Sequence, residues 1–336
     1  MGVGHSIQEF VGSLDETEDS LIKANIVKQS QRTHEAEVSF GGEADLHRHK
    51  KNCKKDPSHK NFIPVNNFKI SHLPWRYQYP EVFELIKTLS DLTVRVGVRY
   101  TSLERTEFYP DSAVPYPFYA YRGRVFMRTG TGSVTDVVKI VGSEDDACPC
   151  TECKASGNPK KSWCHFDILT ATHVVYDSDE AVHAECKVDY VSDDSSDIVL
   201  TGVSADAEIE SDKCRMVCVS HDLTLADKFT QLLDKFKDLC EKVHDKFNNN
   251  KGFETLVVVP SHPHGCPKQI SIGKWTKRFD MVESYYTAFT YNASTCPGSS
   301  GAPLFIMARD VSWWPYTFIH SGSNLEGNHC GATWEA

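Results

Sequence analysis

Cys296-Pro297-Gly298-Ser299-Ser300-Gly301-Ala302-Pro303-Leu304-Phe305 sets a serine between glycines and then runs into an apolar segment of strand character. The glycines let the backbone turn sharply, so the N–H groups of Gly298 and Ser300 can converge on one oxygen. A hydroxyl is a weak nucleophile near neutral pH. It needs an adjacent base, and the base needs a third group to hold its tautomer. Two upstream stretches offer those groups. Ile168-Leu169-Thr170-Ala171-Thr172-His173-Val174-Val175 reads as a buried strand that ends in a histidine. Ser211-Asp212-Lys213-Cys214-Arg215-Met216 puts an acid just before an alternating strand. Asp197, in Ser196-Asp197-Ile198-Val199-Leu200, is the rival acid, but it follows His173 by only 24 residues and leaves little room for intervening strands.

Working outward, short β-rich segments separated by Gly, Asp and Pro turns fall at 117–128, 132–141, 166–171, 182–190, 197–205 and 214–220. Cys214, Met216 and Cys218 share one face of an alternating strand. Residues 81–89 look helical and 92–100 alternate like a strand. A second helix is marked by Phe229, Leu232, Leu233, Phe236, Leu239, Cys240, Val243 and Phe247, recurring every three or four residues. Strands resume from 253. The pattern predicts an all-β protein of two packed β units, sandwich or barrel, with one inserted helix. Its parts are a polar, partly flexible N-terminal extension (1–75), a helix-strand lead-in (76–116), a first unit (about 117–222), a helical connector (223–250) and a second unit (about 251–336).

The motifs together resemble the trypsin-like (chymotrypsin-fold, PA clan) serine peptidases. "LTATHVV" is similar to the histidine motif of that family and "GSSGAP" to its G-x-S-G-x-P serine motif. "GTGSV" at 130–134 resembles the Gly-rich strand of HtrA-type members, and Ile319-His320-Ser321-Gly322 resembles the substrate-pairing strand. The resemblance covers residues 117 to 336 and implies two six-stranded Greek-key β-barrels with the active site between them. It makes Ser300 the nucleophile, His173 the general base and acid, Asp212 the orienting acid, and Gly298 and Ser300 the oxyanion donors. The implied function is a serine endopeptidase acting on protein or peptide substrates through an acyl-enzyme, with no cofactor for catalysis. The alternative is a catalytically silent relative that binds an extended peptide. Ser299 stands where the secreted trypsins need an acid for zymogen activation, so Lys139-Ile140-Val141-Gly142 reads as a coincidental likeness to their cleavage site. Ala302 replaces a common glycine and is tolerated at negative φ.

Thr295, His320, Ser321 and Gly322 are the expected substrate pocket. His320 and Thr295 resemble the pocket residues of glutamyl endopeptidases, where an imidazole beside a hydroxyl can bind an acidic side chain. Cleavage after Glu or Asp is the corresponding expectation. Cys148-Pro149-Cys150-Thr151-Glu152-Cys153, with Cys164, forms a compact set of soft ligands suited to structural zinc. His47, His49, Cys53 and His59 make a looser set and are set aside. Cys296 and Cys330 occupy positions resembling a family disulfide, and in a reducing compartment they would stay thiols.

With 36 Lys+Arg against 46 Asp+Glu the net charge is −10, which argues against nucleic acid as a partner. The start MGVGHSIQEF lacks a secretory pattern, and twelve cysteines without one read as thiols or metal ligands, so the expected location is the cytoplasm. Met1-Gly2-Val3-Gly4-His5-Ser6 fits the N-myristoylation pattern, which makes Gly2 a lipidation candidate and implies weak membrane association. The basic run His47–Lys51 through Lys55 reads as a solvated loop. The sequence does not reveal the oligomeric state.

Overall fold

The chain is described here by a computed structural model covering residues 33–142, 147–195, 198–247, 255–281, 286–307, 318–324, 327–331 and 333–334. Its N-terminal arm contributes β1 (Thr33–His34), β2 (Glu37–Ser39), helix α1 (Glu43–Lys51) and β3 (Phe62–Pro64). Then come α2 (Pro80–Leu92) and the strands β4 (Thr93–Tyr100), β5 (Val125–Val141), β6 (Ser162–Ala171), β7 (Ala184–Val188), β8 (Ile198–Glu208) and β9 (Lys213–Ser220). These six strands pair in the order β5-β4-β7-β8-β9-β6, and β6 returns to β5, so the sheet closes into a six-stranded barrel. After α3 (Leu223–Phe247) the chain forms β10 (Leu256–Ser261), β11 (Gln269–Met281), β12 (Tyr286–Tyr291), β13 (Pro303–Ile306), β14 (Phe318–Asn324), β15 (Gly327–Cys330) and β16 (Thr333–Trp334). Here the order β12-β15-β14-β13-β10-β11 closes back on β12, giving a second six-stranded ring. The all-β, two-barrel architecture expected of a trypsin-like chain is therefore present.

The period-two pattern explains how each barrel fills. Cys214, Met216 and Cys218 are fully buried on one face of β9, as their alternation predicts. In β10, Leu256 and Val258 join the larger core while Val257 and Val259 join the core of the second barrel. The α2 residues Val82, Leu85, Ile86, Leu89 and Leu92 and the α3 residues Phe229, Phe236, Val243 and Phe247 extend the larger core beneath the first barrel. Phe229 meets Phe166 of β6 edge-on with ring centroids 5.6 Å apart. Each such buried aromatic contributes on the order of 1.5–3 kcal/mol of transfer free energy.

Two boundaries differ from the sequence reading. The first barrel begins at Thr93, because β4 is one of its staves rather than part of a lead-in. The arm from residue 33 onward is ordered against both barrels. Its β1 pairs with β14, β2 with β5 and β3 with β11. Polar composition hid these pairings, because strands of two or three residues carry no readable periodicity. Gly2 lies outside the described residues, and no described helix is long and apolar enough to cross a membrane.

Candidate active site

His173 lies just past the end of β6, and Asp212 just before β9, its neighbour in the first barrel. Asp212 takes a left-handed backbone conformation (φ 55°) that turns its carboxylate back onto the histidine. The His173 Nδ1–H donates to Asp212 Oδ2 at 2.8 Å, and the His173 backbone N–H donates to Oδ1 at 3.0 Å. Ser321 of β14 adds a hydrogen bond from Oγ to Oδ2 at 2.5 Å. Burial works to raise the pKa of Asp212, but His173, His34 and these hydrogen bonds overcome it and hold the carboxyl well below the usual range. The carboxylate stays ionised and fixes the imidazole with Nε2 free. That nitrogen is buried and has no hydrogen-bond partner among the described residues.

Ser300 comes from the second barrel, on the turn that enters β13, and the first barrel holds that turn. The Thr131 N–H of β5 donates to the Ser300 carbonyl at 2.8 Å, and Thr131 Oγ1 donates to the Gly298 carbonyl at 2.8 Å. A Cβ at Gly130 would lie 2.8 Å from the Val174 side chain and 3.0 Å from the Ser300 carbonyl, so the GTGSV motif supplies clearance where the barrels meet. Gly298 has φ 93°, and a Cβ on it would lie 2.8 Å from the backbone of His262, His264 and Gly265. Only glycine fits. The hydrogen bonds of this turn's backbone use the N–H groups of Ser299, Gly301 and Ala302; those of Gly298 and Ser300 take no part in them among the described residues. Ala302 is absent from the residues of positive φ, as its methyl group requires. Ser299, in place of an activating acid, is buried against Ser261 with an Oγ–Oγ distance of 3.3 Å.

The cleft between the barrels is filled by the chain's own arm. β1 runs antiparallel to β14 with His34 opposite Gly322 and Thr33 opposite Ser323, and on the far side β2 pairs Glu37 with Thr129 of β5. The His34 ring stacks on His173, with centroids 4.4 Å apart and 21° between planes. Burial lowers the pKa of His34 to about 4 against the opposing pull of Asp212, so this ring is neutral. The Ser300 hydroxyl donates to the carbonyl of Glu35. A direct Ser300–His173 hydrogen bond is not made, because the hydroxyl is turned onto that carbonyl. Both groups nonetheless contact adjacent residues of the arm, His173 the ring of His34 and Ser300 the carbonyl of Glu35.

The Glu35 side chain enters a pocket formed by His320, Thr295 and Ser323. Its carboxylate lies 3.4 Å from His320 Nε2, 3.3 Å from Thr295 Oγ1 and 2.5 Å from Ser323 Oγ. Tyr291 Oη lies 2.6 Å from His320 Nδ1, which leaves the Nε2–H to face the acid. Lys55, carried by the arm, reaches in from outside: its Nζ is 2.6 Å from Glu35 Oε2, 2.8 Å from Thr295 Oγ1 and 2.8 Å from Asn328 Oδ1. Burial alone would raise the Glu35 pKa; His320 and Lys55 together hold it at about 2. Thr295 and His320 contact the Glu35 carboxylate, while Ser321 bonds Asp212 and Gly322 pairs with His34, so the four lie along one cleft. Lys55, Ser323, Asn328 and Tyr291 were not anticipated. Lys55 sat in a basic run with the ordinary signature of a solvated loop, and no local pattern marks it as a pocket residue.

The cysteine cluster needs one correction. Cys148, Cys150 and Cys153 gather with His221, all four donor atoms within 4.8 Å of one another, and Cys164 is not among them. The pleat of β6 explains this. Trp163 faces the cluster, while Cys164 points into the barrel core and its Sγ–H donates to the Asp222 carbonyl at 3.4 Å. Cys296 and Cys330 are not joined in a disulfide: Cys330 Sγ accepts from the Phe289 N–H at 3.1 Å, and Cys296 instead approaches Cys53 at an Sγ–Sγ distance of 3.6 Å. Asp197 lies outside the described residues.

No protein-family profile and no curated protein matches the chain. Similar solved structures include Deg5 (13% identity, TM-score 0.38, covering 77% of this chain and 90% of its own). The HtrA-type protease AlgW with a decapeptide matches at 11% identity and TM-score 0.35, over 75% of this chain and 63% of its own. The Rv3671c protease, inactive form, matches at 12% identity and TM-score 0.37, over 79% and 91%.

Proposed function

We propose that this chain is a serine endopeptidase that cleaves after acidic residues through an acyl-enzyme. The observation that carries the reading is a buried Asp212–His173 pair with its Nε2 unpartnered, stacked by His34, while the Ser300 hydroxyl is bonded to the carbonyl of the next residue, Glu35. Ser300 attacks the carbonyl carbon while its proton passes to His173 Nε2. The Gly298 and Ser300 amides stabilise the oxyanion, each such donor being worth on the order of 10²–10³ in rate. His173 then protonates the leaving amine, and water releases the acyl group by the reverse sequence. The acidic preference is supported by His320, Thr295, Ser323 and Lys55 around a single carboxylate. Charge-assisted hydrogen bonds of this kind discriminate strongly against an apolar side chain, which would leave the donors unpaired.

Cys148, Cys150, Cys153 and His221 fit structural zinc, because three thiolates and one imidazole at mutual contact are a tetrahedral donor set. Zinc there would tie the loop before β6 to the end of β9 and takes no part in the hydrolysis. The reading takes the cytoplasm as the compartment, where thiolates stay available to metal.

A fluorophosphonate probe and a peptide library test the proposal. Wild type and Glu35→Arg, whose own arm cannot fill an acid-binding pocket, are expected to label, Ser300→Ala is not, and library cleavage is expected after Glu and Asp. Folded protein that labels in neither of the first two forms would instead be a peptide-binding relative. Cleavage after Phe, Leu or Arg would remove the acidic preference.

A further inference from the structure

We infer that the chain is its own substrate and cuts itself between Glu35 and Ala36. The inference rests on the peptidase reading above and adds the identity of the bond. Residues 33 to 39 thread the whole cleft, paired with β14 before the bond and with β5 after it. Glu35 puts its carbonyl on the Ser300 hydroxyl and its carboxylate on His320, Thr295, Ser323 and Lys55. His34 covers the ring of His173 and shields the reacting atoms from solvent. An inhibitory strap could satisfy the strand pairing without presenting a carbonyl to the nucleophile. This segment also sets the Glu35 carbonyl oxygen on the Ser300 hydroxyl and its side chain in the acid pocket, so attack needs only that the hydroxyl turn its proton to His173 and the oxygen swing onto the Gly298 and Ser300 amides.

The step balances with one water. Ser300 Oγ bonds to the Glu35 carbonyl carbon as its proton moves to His173. The C–N bond to Ala36 breaks as His173 returns that proton to the nitrogen, leaving a Glu35–Ser300 ester. Water, deprotonated by His173, then cleaves the ester. The products are residues 1–35 ending in the Glu35 carboxylate, and a chain that begins at Ala36.

Intact-mass and N-terminal analysis of the full chain tests this. Wild type is expected to yield a new N-terminus at Ala36, while Ser300→Ala, Glu35→Arg and Ala36→Pro stay whole at this bond. The rate is expected to be independent of protein concentration, and added wild type is expected to leave the Ser300→Ala chain intact. Wild type that cleaves an acidic peptide supplied in solution but keeps its own 35–36 bond would overturn the inference and leave the peptidase reading standing. Protein that neither labels, cleaves peptide nor cuts itself would overturn both.

A separate observation carries a second site. Cys53 and His59 of the arm meet His264 and Cys296 of the second barrel, with all four donor atoms within 4.8 Å of one another. The contacts are 3.6 Å between the two sulfurs, 3.3 Å between the two Nε2 atoms and 3.7 Å between Cys296 Sγ and His59 Nε2. These are the separations of ligands around a common tetrahedral ion at about 2.0–2.3 Å from each. The other nitrogen of His264, Nδ1, lies 2.6 Å from Glu37 Oε2, the orienting carboxylate that metal-bound histidines commonly carry. We propose that these four residues bind zinc. Lys55 lies between the two arm ligands, so the ion would pin it at the mouth of the acid pocket.

Metal analysis of purified wild type, together with the loop cluster, is expected to give two zinc ions per chain, with Cys53→Ser and Cys150→Ser each losing one. X-ray absorption on the wild type gives an answer that needs no variant. Both sites filled average five sulfur to three nitrogen ligands, whereas the loop cluster alone gives three to one. A single ion with the three-to-one shell would overturn the second site.

Discussion

Glu180 and Glu35 are both buried glutamates with depressed pKa values, and they are held in opposite ways. Glu180 is gripped by guanidinium groups. Arg105 donates Nε to Oε1 at 2.6 Å and Nη2 to Oε2 at 2.7 Å, Arg128 lies 2.8 Å from Oε2, and the Ser102 and Tyr176 amides complete the shell at 2.9 Å each. Every donor comes from the first barrel and its loops. The Glu35 donors are hydroxyls, an imidazole whose pKa burial lowers, and a lysine whose side chain is 30% exposed. Rigid forks suit a charge that never leaves. Hydroxyls and a partly hydrated ammonium can turn back to water when the acid departs, which is what a substrate pocket requires. The Glu180 cluster also serves the site, since Arg105 Nη2 donates to the His173 carbonyl at 3.2 Å.

Removing each carboxylate's charge breaks or sharpens that contrast, and Glu180→Gln gives the larger effect. It leaves two enclosed arginines without their counter-charge, so a loss of about 3–5 kcal/mol in unfolding free energy is expected by denaturant titration. Glu35→Gln is expected to cost under about 1 kcal/mol, because its donors can rehydrate. Equal losses would make the arm a structural stave and end the distinction. The pH dependence follows in sign. The folded pKa of Glu180 lies below its unfolded value of about 4.3, because Arg128 and Arg105 outweigh the cost of burial. Its stabilisation is therefore fully present above that value and is lost as pH falls through the folded pKa. Glu180→Gln should flatten the acid limb of the stability curve.

The same contrast separates what the sequence made readable from what it did not. His173, Asp212 and Ser300 each sit at the end of a strand or on a glycine turn, and strand alternation and turn chemistry are local properties. Three Cys of the loop cluster were equally visible within six residues. Their fourth member, His221, was not, because the strand pairing of β6 with β9, which sets Cys164 opposite Ser220, determines which side chain arrives. Lys55, Cys53 and His59 were beyond reach for a stronger reason. Their partners in the second barrel lie more than two hundred residues away along the chain. The segment that carries them is polar, because it is covered by a site rather than by a core.

The smaller effect belongs to Lys55. Among the described residues it is the one primary ammonium on the Glu35 carboxylate, and a hydrogen bond to a charged group is worth about 1.5–3 kcal/mol when enclosed. Partial exposure screens it, so Lys55→Met should cost about 1–2 kcal/mol in transition-state binding of a Glu peptide, a roughly tenfold drop in kcat/KM. A matched Gln peptide, which offers no charge, should fall by much less, so the Glu-to-Gln preference should narrow. Added salt should narrow it in wild type and leave it nearly unchanged in the variant. If the two peptides fall together, Lys55 only shapes the pocket, and recognition of the charge rests on His320 and the hydroxyls.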